Sequence, residues 1–484
     1  MTNSILIISL ERGGIVTSGG TDNLVALPPD SGAAMHRFIA ELFPFCRSIT
    51  GNGVRATLQA IAQRIPLTLH EVPSGTPVLD WTVPQEWHIR DAFIKNARGE
   101  RLVDFRQSNL HVVNYSVPVH ATMTLDQLRP HLFSLPDFPD WIPYRTSYYT
   151  PAWGFCLRHT QLAALREDEA YEVCIDATLE DGSLTYGECY LPGTLEDEIL
   201  LSCHVCHPSL ANDNLSGIAV MTFLAQYLQR CPRRCSYRLL FIPGTIGSIT
   251  WLARNEVHVE KITHGLVLTC VGDAGPFTYK RSRRGHAVID RAVPHVLRQA
   301  GLAHEVIDFF PYGYDERQYC SPGFNLPVGC LMRARHGQFP EYHTSADNLQ
   351  FVQPAALATS LAVCATILAT LDGNACYRNL RPKGEPQLGK RGLYRITGSE
   401  QHARTREMAM LWVLNYADGE HTLLDIAERA NLPFQHLRQV ADALLAHHLL
   451  ADCGAEISRT AGGPTRPTSG AMAVRSTSEE AGRG

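Results

Sequence analysis

Two histidines, a cysteine and an aspartate stand close together in one stretch of this sequence. His204, Cys206, His207 and Asp213 lie within ten residues of one another. Imidazole nitrogens, thiolates and carboxylate oxygens are the donor groups that zinc accepts in proteins. The alternative is a structural loop whose polar groups are satisfied by the backbone, but the density of donors favours metal binding.

The elements on either side of this stretch explain how it would be positioned. Residues 198–203 contain an apolar run that predicts a buried strand, and an apolar helix is predicted to begin at Ser216. A strand end that delivers His and Asp to one point is a common way for an α/β fold to build a metal site.

A second loop offers a further ligand. His343 stands between Glu341 and Asp347, after a predicted strand at 328–333 and before a predicted helix. One histidine between two acids is a weak pattern by itself, and a Thr/Ser/Asp turn is the alternative interpretation. Together with the first stretch it supplies a ligand from a different part of the chain.

Two charged segments could contact a substrate. Asp315 and Glu316 follow an aromatic run and could hold a substrate amine or act as a general base. The alternative is a solvated turn with a local ion pair to Arg317. The basic loop 280–284 could bind a carboxylate or phosphate, although a charged surface loop is the commoner explanation. Its arginines are Arg281, Arg283 and Arg284.

Length and composition limit the class of protein. The 484 residues are too many for one simple core, so two or three domains are expected. A net charge of -5 gives no overall attraction to nucleic acid or to anionic membranes. No apolar run approaches membrane-spanning length, so no membrane partner is expected. Fourteen dispersed cysteines favour the reducing cytoplasm over a disulfide scaffold.

Changes in pattern along the chain predict the domains. Residues 33–74 and 191–380 form an α/β core with a mostly parallel sheet, because strands at 198–203, 237–242, 265–271 and 328–333 alternate with helices. Residues 75–190 are dense in aromatics and short β-like runs, including Leu110 to Val113, and predict an inserted β-rich domain. The N-terminus, 1–32, should be poorly ordered, and 454–484 a disordered tail.

The segment 400–453 has the spacing of a winged helix. Thr422 is a candidate N-cap, and a turn at residues 431–433 begins a further helix. The segment contains eight acids and four arginines, too little positive charge to neutralise phosphates. A packing or partner-binding module is therefore expected, with no nucleic-acid partner.

With these motifs the chain resembles the bacterial aminopeptidase-like domain family, which is related to the zinc leucine-aminopeptidase and glutaminyl-cyclase group. The resemblance covers roughly residues 33–453, and its most specific part is the Asn-Asp-Asn-Leu-Ser-Gly stretch at 212–217. It implies a zinc-exopeptidase-like core in which His204 and His343 bind metal and Asp213 bridges two metals.

The chain departs from the family at three acidic positions. Gly244 and Thr245 stand where the resemblance places a general-base glutamate and a metal-binding glutamate, and Thr269 stands where it places a further aspartate. The expectation is therefore one zinc per chain rather than two. His204, Asp213 and His343 would hold it, and His207 is a possible substitute ligand.

The resemblance implies a cytoplasmic zinc-dependent hydrolase of a small peptide or amide substrate, acting at an amino terminus. In this hypothesis Glu316 is the general base, with Glu341 and Asp273 as rivals, and Asp315 anchors the substrate ammonium. The three arginines of the basic loop hold a substrate carboxylate. Two alternatives stay open: an inactive binding or scaffold protein, and an amide-transfer or deacylation enzyme of a biosynthetic pathway. A homo-oligomer also stays open.

Overall fold

The computed structural model describes residues 23–393 and 400–454 of the chain. Residues 1–22 of the predicted poorly ordered N-terminus and residues 455–484 of the predicted tail lie outside these ranges, whereas residues 23–32 are described and include the start of the first helix. The first described elements are α1 (Ser31–Leu42), α2 (Asn52–Ala62) and β1 (Thr68–Pro73). Both helices bury one apolar face, as the spacing of their apolar residues requires.

Short strands dominate the next segment. It contains β2 (Pro77–Val78), β3 (Trp81–Thr82), β4 (Glu86–Lys95), β5 (Arg101–Asp104), β6 (Val119–Thr124), α3 (Leu125–Leu128), β7 (Leu132–Phe133), β8 (Phe155–Cys156), α4 (His159–Ala163) and β9 (Ala170–Glu180). Four of these strands form an antiparallel sheet in the order β5-β4-β9-β6. In the β-like run from Leu110 to Val113, Leu110 and His111 lie in a short helical turn, which the Ser108 hydroxyl caps by accepting the Leu110 amide, whereas Val112 forms an isolated antiparallel bridge with Phe155.

An eight-stranded sheet forms the centre of the molecule. Its further elements are β10 (Ser183–Leu191), β11 (Glu198–His204), α5 (Gly217–Leu228), β12 (Ser236–Ile242), α6 (Ile246–Arg254), β13 (Ile262–Leu268), β14 (Phe277–Lys280), α7 (Val288–Gln299), β15 (His304–Ile307), α8 (Glu316–Tyr319), β16 (Val328–Met332) and α9 (Pro354–Gly373). The order is β1-β10-β12-β11-β13-β16-β14-β15.

The four central strands of this sheet, β12-β11-β13-β16, are parallel to one another. Antiparallel pairings at both sides make the whole sheet mixed. Strand β10 pairs with β1 and β12, so residues 183–190 belong by their hydrogen bonds to this sheet and not to the segment between β1 and β10. All seven residues of β11 are buried, as expected for a parallel strand covered on both faces.

Helix α9 is long and apolar, although no apolar run of membrane-spanning length was expected from the sequence. It has 20 residues, and its most apolar 18-residue window has a mean hydropathy of 1.8, enough by length and composition to cross a membrane. However, 67% of its apolar window is buried, and it packs against α1, α5 and α7. It is therefore the core helix of this layer.

The C-terminal elements build a small helical unit with a sheet. They are β17 (Cys376–Asn379), α10 (Glu400–Tyr416), β18 (Asp418–Thr422), α11 (Leu423–Ala430), α12 (Phe434–Ala446) and β19 (Leu450–Asp452). The sheet order is β18-β17-β19, so residues 376–379 pair with this unit although the predicted core extended to residue 380. Thr422 caps α11 as predicted, with its hydroxyl accepting the Asp425 amide at 3.3 Å.

Candidate metal centre

His204 is the last residue of β11 and points into a buried polar cluster. The apolar strand holds it at the carboxyl end of the parallel sheet, where α/β folds place their ligand sites. Its Nε2 lies 2.9 Å from Asp213 Oδ1 and 3.1 Å from His207 Nδ1. Its side chain is 1% exposed, so these groups take the place of water.

Asp213 is the centre of this cluster and is fully buried. While Oδ1 faces His204, Oδ2 lies 3.0 Å from His343 Nε2 and 3.4 Å from His207 Nδ1. We refer to His204, His207, His343 and Asp213 as the histidine cluster. The structure thus brings together all three predicted zinc ligands and the predicted substitute.

Electrostatics keep Asp213 ionised. Burial by itself would raise its pKa, but the neighbouring imidazoles of His207, His204 and His343 hold that pKa well below its usual range. Burial lowers the pKa of His343, although Asp213 opposes this shift. A carboxylate and a neutral imidazole are the forms that bind metal.

The donor set fits a zinc ion. His204, His207 and Asp213 each offer a ligand atom within 4.8 Å of the others. Ligands at 2.0–2.2 Å around a tetrahedral zinc lie about 3.4 Å apart. The separations in the cluster, 2.9–3.4 Å, are close to this value. The two facing nitrogens of His204 and His207 require either a proton or a cation between them.

A buried arginine, Arg47, fixes the turn that carries His207. Its Nε donates to the His207 carbonyl at 2.6 Å, and its Nη2 donates to the Pro208 carbonyl at 3.0 Å. A third bond, from Nη1 to the Leu42 carbonyl at 2.7 Å, ties the turn to α1. Burial lowers the pKa of Arg47 to about 10.

Asp347 holds the backbone of the Asp213 turn. Its carboxylate accepts the amides of Asn212 at 2.6 Å and Asp213 at 2.9 Å. The Asn214 side chain donates to the Leu268 carbonyl and lies 3.4 Å from His204 Nδ1. Contacts of this kind, which are made to groups next to the metal ligands, fix the orientation of those ligands.

Three tyrosines that sequence reasoning did not select surround the cluster. Tyr314 stacks on His204 with ring centroids 4.4 Å apart, and its hydroxyl donates to Asp213 Oδ1 at 2.9 Å. Tyr342 stacks on His343 at 3.9 Å. Tyr144 packs edge-on against His207 and His343, both at 5.1 Å. The sequence signal that could have identified these tyrosines is the high density of aromatic residues in their segments.

The two predicted catalytic acids have different surroundings. Glu316 forms a fully buried ion pair with Lys280 at 2.7 Å. Asp315 accepts the Ser248 hydroxyl at 2.8 Å through Oδ1, whereas its buried Oδ2 has no hydrogen-bond partner among the described residues. Burial raises the pKa of Asp315 to about 7.

Gly244 separates Asp315 from His204. A Cβ atom placed on Gly244 would lie 3.2 Å from the His204 Cβ and 3.6 Å from both carboxylate oxygens of Asp315. A side chain at this position would therefore contact both the His204 Cβ and the Asp315 carboxylate, which both adjoin Gly244.

The three arginines of the basic loop contact other groups. Arg281 pairs with Asp308 at 2.8 Å, while Arg283 and Arg284 donate to the side chain and the carbonyl of Asn325. None of these contacts involves the histidine cluster. Of the rival bases, Asp273 accepts the Asn212 side chain at 2.9 Å and is 2% exposed. Glu341 accepts the Thr344 amide through its main-chain carbonyl.

Comparisons with known proteins identify matching family models and a similar relative. A family model described as a domain of unknown function, DUF4910, matches residues 36–374, and a winged helix-turn-helix model matches residues 375–452. A Clostridium acetobutylicum protein named as a polysaccharide biosynthesis protein with an aminopeptidase-like domain is 54% identical over 421 residues, which are 87% of this chain and 96% of the relative.

Solved structures agree with this result. A structure named as a peptidase from Clostridium acetobutylicum is 52% identical, has a TM-score of 0.83, and covers 87% of this chain and 97% of its own. A zinc aminopeptidase from Bacillus subtilis has a TM-score of 0.52 at 14% identity, over 70% of this chain and 95% of its own, which shows the fold alone. The predicted family resemblance, the α/β class and the winged helix are confirmed.

Proposed function

The chain belongs to the DUF4910 family, and from this premise we propose that it is a zinc-dependent hydrolase of an amide bond in a small substrate. The observation that carries the proposal is the buried Asp213 carboxylate among three imidazoles at the carboxyl end of β11. A buried charge of this kind needs a compensating cation or several donors.

His204, His207 and Asp213 are the proposed zinc ligands, because their donor atoms form the compact group. His343 contacts Asp213 Oδ2, the oxygen that His207 also approaches, and would orient that carboxylate. This assignment exchanges the roles first expected for His207 and His343. Three protein ligands leave a fourth position for water or substrate, as in catalytic zinc sites.

Zinc bound there would polarise the scissile carbonyl and lower the pKa of a bound water toward neutrality. Asp315 is the proposed proton acceptor, since its Oδ2 has no hydrogen-bond partner among the described residues and its carboxylate adjoins Gly244, as His204 does. A general base works best when its pKa lies near the working pH, and burial raises the pKa of Asp315 to about 7. Asp315 would then return the proton to the leaving amine.

Glu316 is less suited to that role than we first expected. Its carboxylate is paired with Lys280, and it also accepts the Tyr314 amide at 3.1 Å. Taking up a proton would break a fully buried ion pair and leave Lys280 without its counter-charge. We therefore propose that Glu316 is a structural partner that fixes the segment carrying Tyr314 and Asp315.

Deacylation of an amine in a biosynthetic pathway is the second candidate for the reaction. The name of the Clostridium acetobutylicum relative, which refers to polysaccharide biosynthesis, favours it over peptide cleavage. The non-catalytic scaffold alternative is favoured only by the absence of glutamates at Gly244 and Thr245.

A substrate panel tests the proposal. The zinc-loaded protein is incubated with N-acylated amines, amino-acid amides and dipeptides, and free amine is measured with Asp213→Ala as the control. Release that the control lacks supports the hydrolase. Release of amine from none of the substrates would favour the scaffold alternative.

A further inference from the structure

A chain of aromatic contacts leads from the histidine cluster to the protein surface. Tyr144 packs against His207 and His343, and its hydroxyl lies 3.0 Å from the Tyr148 hydroxyl. Tyr148 contacts Tyr149 with ring centroids 6.2 Å apart, and Tyr149 contacts Trp81 edge-on at 5.2 Å. We call Tyr144, Tyr148, Tyr149 and Trp81 the aromatic path.

The outer end of this path is exposed. Trp81 is 44% exposed and Tyr149 is 47% exposed, although large aromatic side chains usually bury their faces. The strand β2, which pairs with β3 and its Trp81, packs against α6, and α6 begins directly after Gly244 and Thr245. The hairpin that carries Trp81 therefore packs on the helix that follows Gly244 and Thr245.

The backbone beside the exposed pair is strained. Tyr149 has a φ of 65° and Leu79 a φ of 56°, which place two bulky residues in the left-handed region. Such conformations cost of order 1–3 kcal/mol each and cluster at ligand-binding sites. The φ of Leu79 follows from the two-residue turn between β2 and β3, so the strained residue beside the Trp81–Tyr149 contact is Tyr149.

Recognition of a substrate ammonium has little support in the same region. Asp213 is surrounded by imidazoles, Asp347 accepts backbone amides, and Glu316 is paired with Lys280. Among these buried carboxylates and Asp315, the oxygens without a hydrogen-bond partner in the described part of the chain are Asp315 Oδ2 and Glu316 Oε1, and Glu316 Oε1 lies 2.7 Å from Lys280 Nζ. A neutral ligand that stacks on aromatic faces suits this arrangement better than a charged peptide terminus.

We propose that the aromatic path binds a glycan, with one pyranose ring against Trp81 and Tyr149 and an N-acylated amino sugar at the histidine cluster. The C–H face of a pyranose matches the electron-rich face of an aromatic ring. The Tyr144 and Tyr148 hydroxyls pair with each other at 3.0 Å, and the hydroxyl of the less buried Tyr148 keeps acceptor capacity for a sugar hydroxyl. This inference rests on the proposed amide hydrolysis and names its substrate class.

Binding of a defined glycan tests the inference without relying on turnover. Triacetylchitotriose is titrated into metal-free full-length protein, and saturation-transfer NMR gives the Kd, with N-acetylglucosamine as the one-ring comparison. We expect the trisaccharide to bind more tightly than the single sugar. Trp81→Ala and Tyr149→Ala should each raise the Kd about tenfold.

Matched variants separate stacking from general damage. Trp81→Phe keeps an aromatic face and should retain most of the affinity. Tyr190→Ala removes a tyrosine that is 43% exposed on β10 and should leave the Kd unchanged. Equal loss in Tyr190→Ala, unchanged Kd in Trp81→Ala, or no binding by the wild type would overturn the inference.

Glycan binding and amine release are measured in separate experiments, so this inference and the proposed function can fail independently. Glycan binding without release of any amine by the zinc-loaded protein would leave the aromatic path standing and contradict the hydrolase. Release of amine from dipeptides without glycan binding would do the reverse.

Discussion

Asp213 has more polar neighbours than a carboxylate needs for burial alone. Three imidazoles and the Tyr314 hydroxyl share its two oxygens. His207 and His343 approach the same oxygen of Asp213. Substitutions of these two residues are therefore needed to decide which of them binds zinc.

Paired variants decide that choice. We expect His207→Ala to lose zinc affinity strongly, since it removes one of the three proposed ligands. His343→Ala removes an orienting contact and should cost about 10–100-fold. Competition with a chromogenic chelator measures both, with Tyr342→Phe as the control because it keeps the ring on His343. A larger loss in His343→Ala would restore the ligand set first predicted from the sequence.

The pH dependence of stability follows from Asp315. Its folded pKa, about 7, lies above the usual value of 3.8, so the folded chain keeps a proton that the unfolded chain has released. Stability therefore falls as pH rises from about 4 to about 7 and stays lower above that range. Asp315→Asn removes this penalty and should stabilise the metal-free protein by up to about 4 kcal/mol at pH 8.

Asp315→Asn should lower activity although it raises stability. We expect Asp315→Asn to lower kcat by about 10²–10⁴-fold while zinc content is kept, and wild-type kcat/KM to fall as pH drops below about 7. Urea unfolding at pH 3.5 and pH 8 tests the stability effect, which should be absent at the lower pH. Full turnover by Asp315→Asn would exclude it as the proton acceptor.

Glu316→Gln should instead affect folding. Breaking its fully buried pair with Lys280 is expected to cost about 3–5 kcal/mol. The double variant Lys280→Met with Glu316→Gln, which removes both charges, should recover much of that loss. If Glu316→Gln keeps its stability and loses turnover, Glu316 is the base, as first expected.

At the scale of elements, β11 and the turn after it act as one unit because Arg47 links them to α1. We expect Arg47→Met to destabilise the protein by at least about 3 kcal/mol, since it leaves the carbonyls of His207, Pro208 and Leu42 without a donor. Zinc affinity should fall with it. Arg64→Met, which removes an exposed ion pair with Glu41, is the control and should cost less than about 1 kcal/mol.

The sequence predicts the elements better than the contacts between them. Strands such as β11 and helices such as α5 follow from local apolar periodicity, and the short His204 to Asp213 spacing reveals the metal cluster. The bonds from Arg47 to the turn span about 160 residues of chain, so no local pattern reports them. Tyr144 reaches the cluster because the His343 carbonyl accepts its amide at 2.7 Å, a pairing that only the fold creates.

The misread segments have local causes. In the β-like run at Leu110, the Ser108 cap closes Leu110 and His111 into a turn, so that a single β-bridge, from Val112 to Phe155, remains. Similarly, Asp315 and Glu316 are adjacent and chemically alike in the sequence. Only the burial of Lys280 beside Glu316 distinguishes the paired acid from the unpaired one.

At the scale of the whole molecule, the winged helix is docked on the core. Arg291 of α7 pairs with Asp425 of α11 at 2.6 Å and also with Glu428. Arg438 of α12, the second helix of the helix-turn-helix, donates to the Tyr377 hydroxyl and the Gly373 carbonyl and pairs with Asp442. The arginines of this interface are therefore paired with groups of the protein itself.

We therefore predict that the full chain does not bind duplex DNA. At 0.15 M salt, fluorescence anisotropy with a labelled duplex should give no saturable binding below about 0.1 mM, the weak end of the range of non-specific complexes. A steep salt dependence, lost in the Arg429→Ala variant, would contradict this prediction and give the winged helix a nucleic-acid partner.

Metal content tests the central claim most directly. Elemental analysis is made on wild-type protein, Asp213→Ala and Tyr190→Ala, each purified without chelators and dialysed against zinc. We predict one zinc per wild-type or Tyr190→Ala chain and almost none in Asp213→Ala. Wild-type protein that takes up no zinc, or Asp213→Ala that keeps it, would contradict a zinc hydrolase built on the histidine cluster.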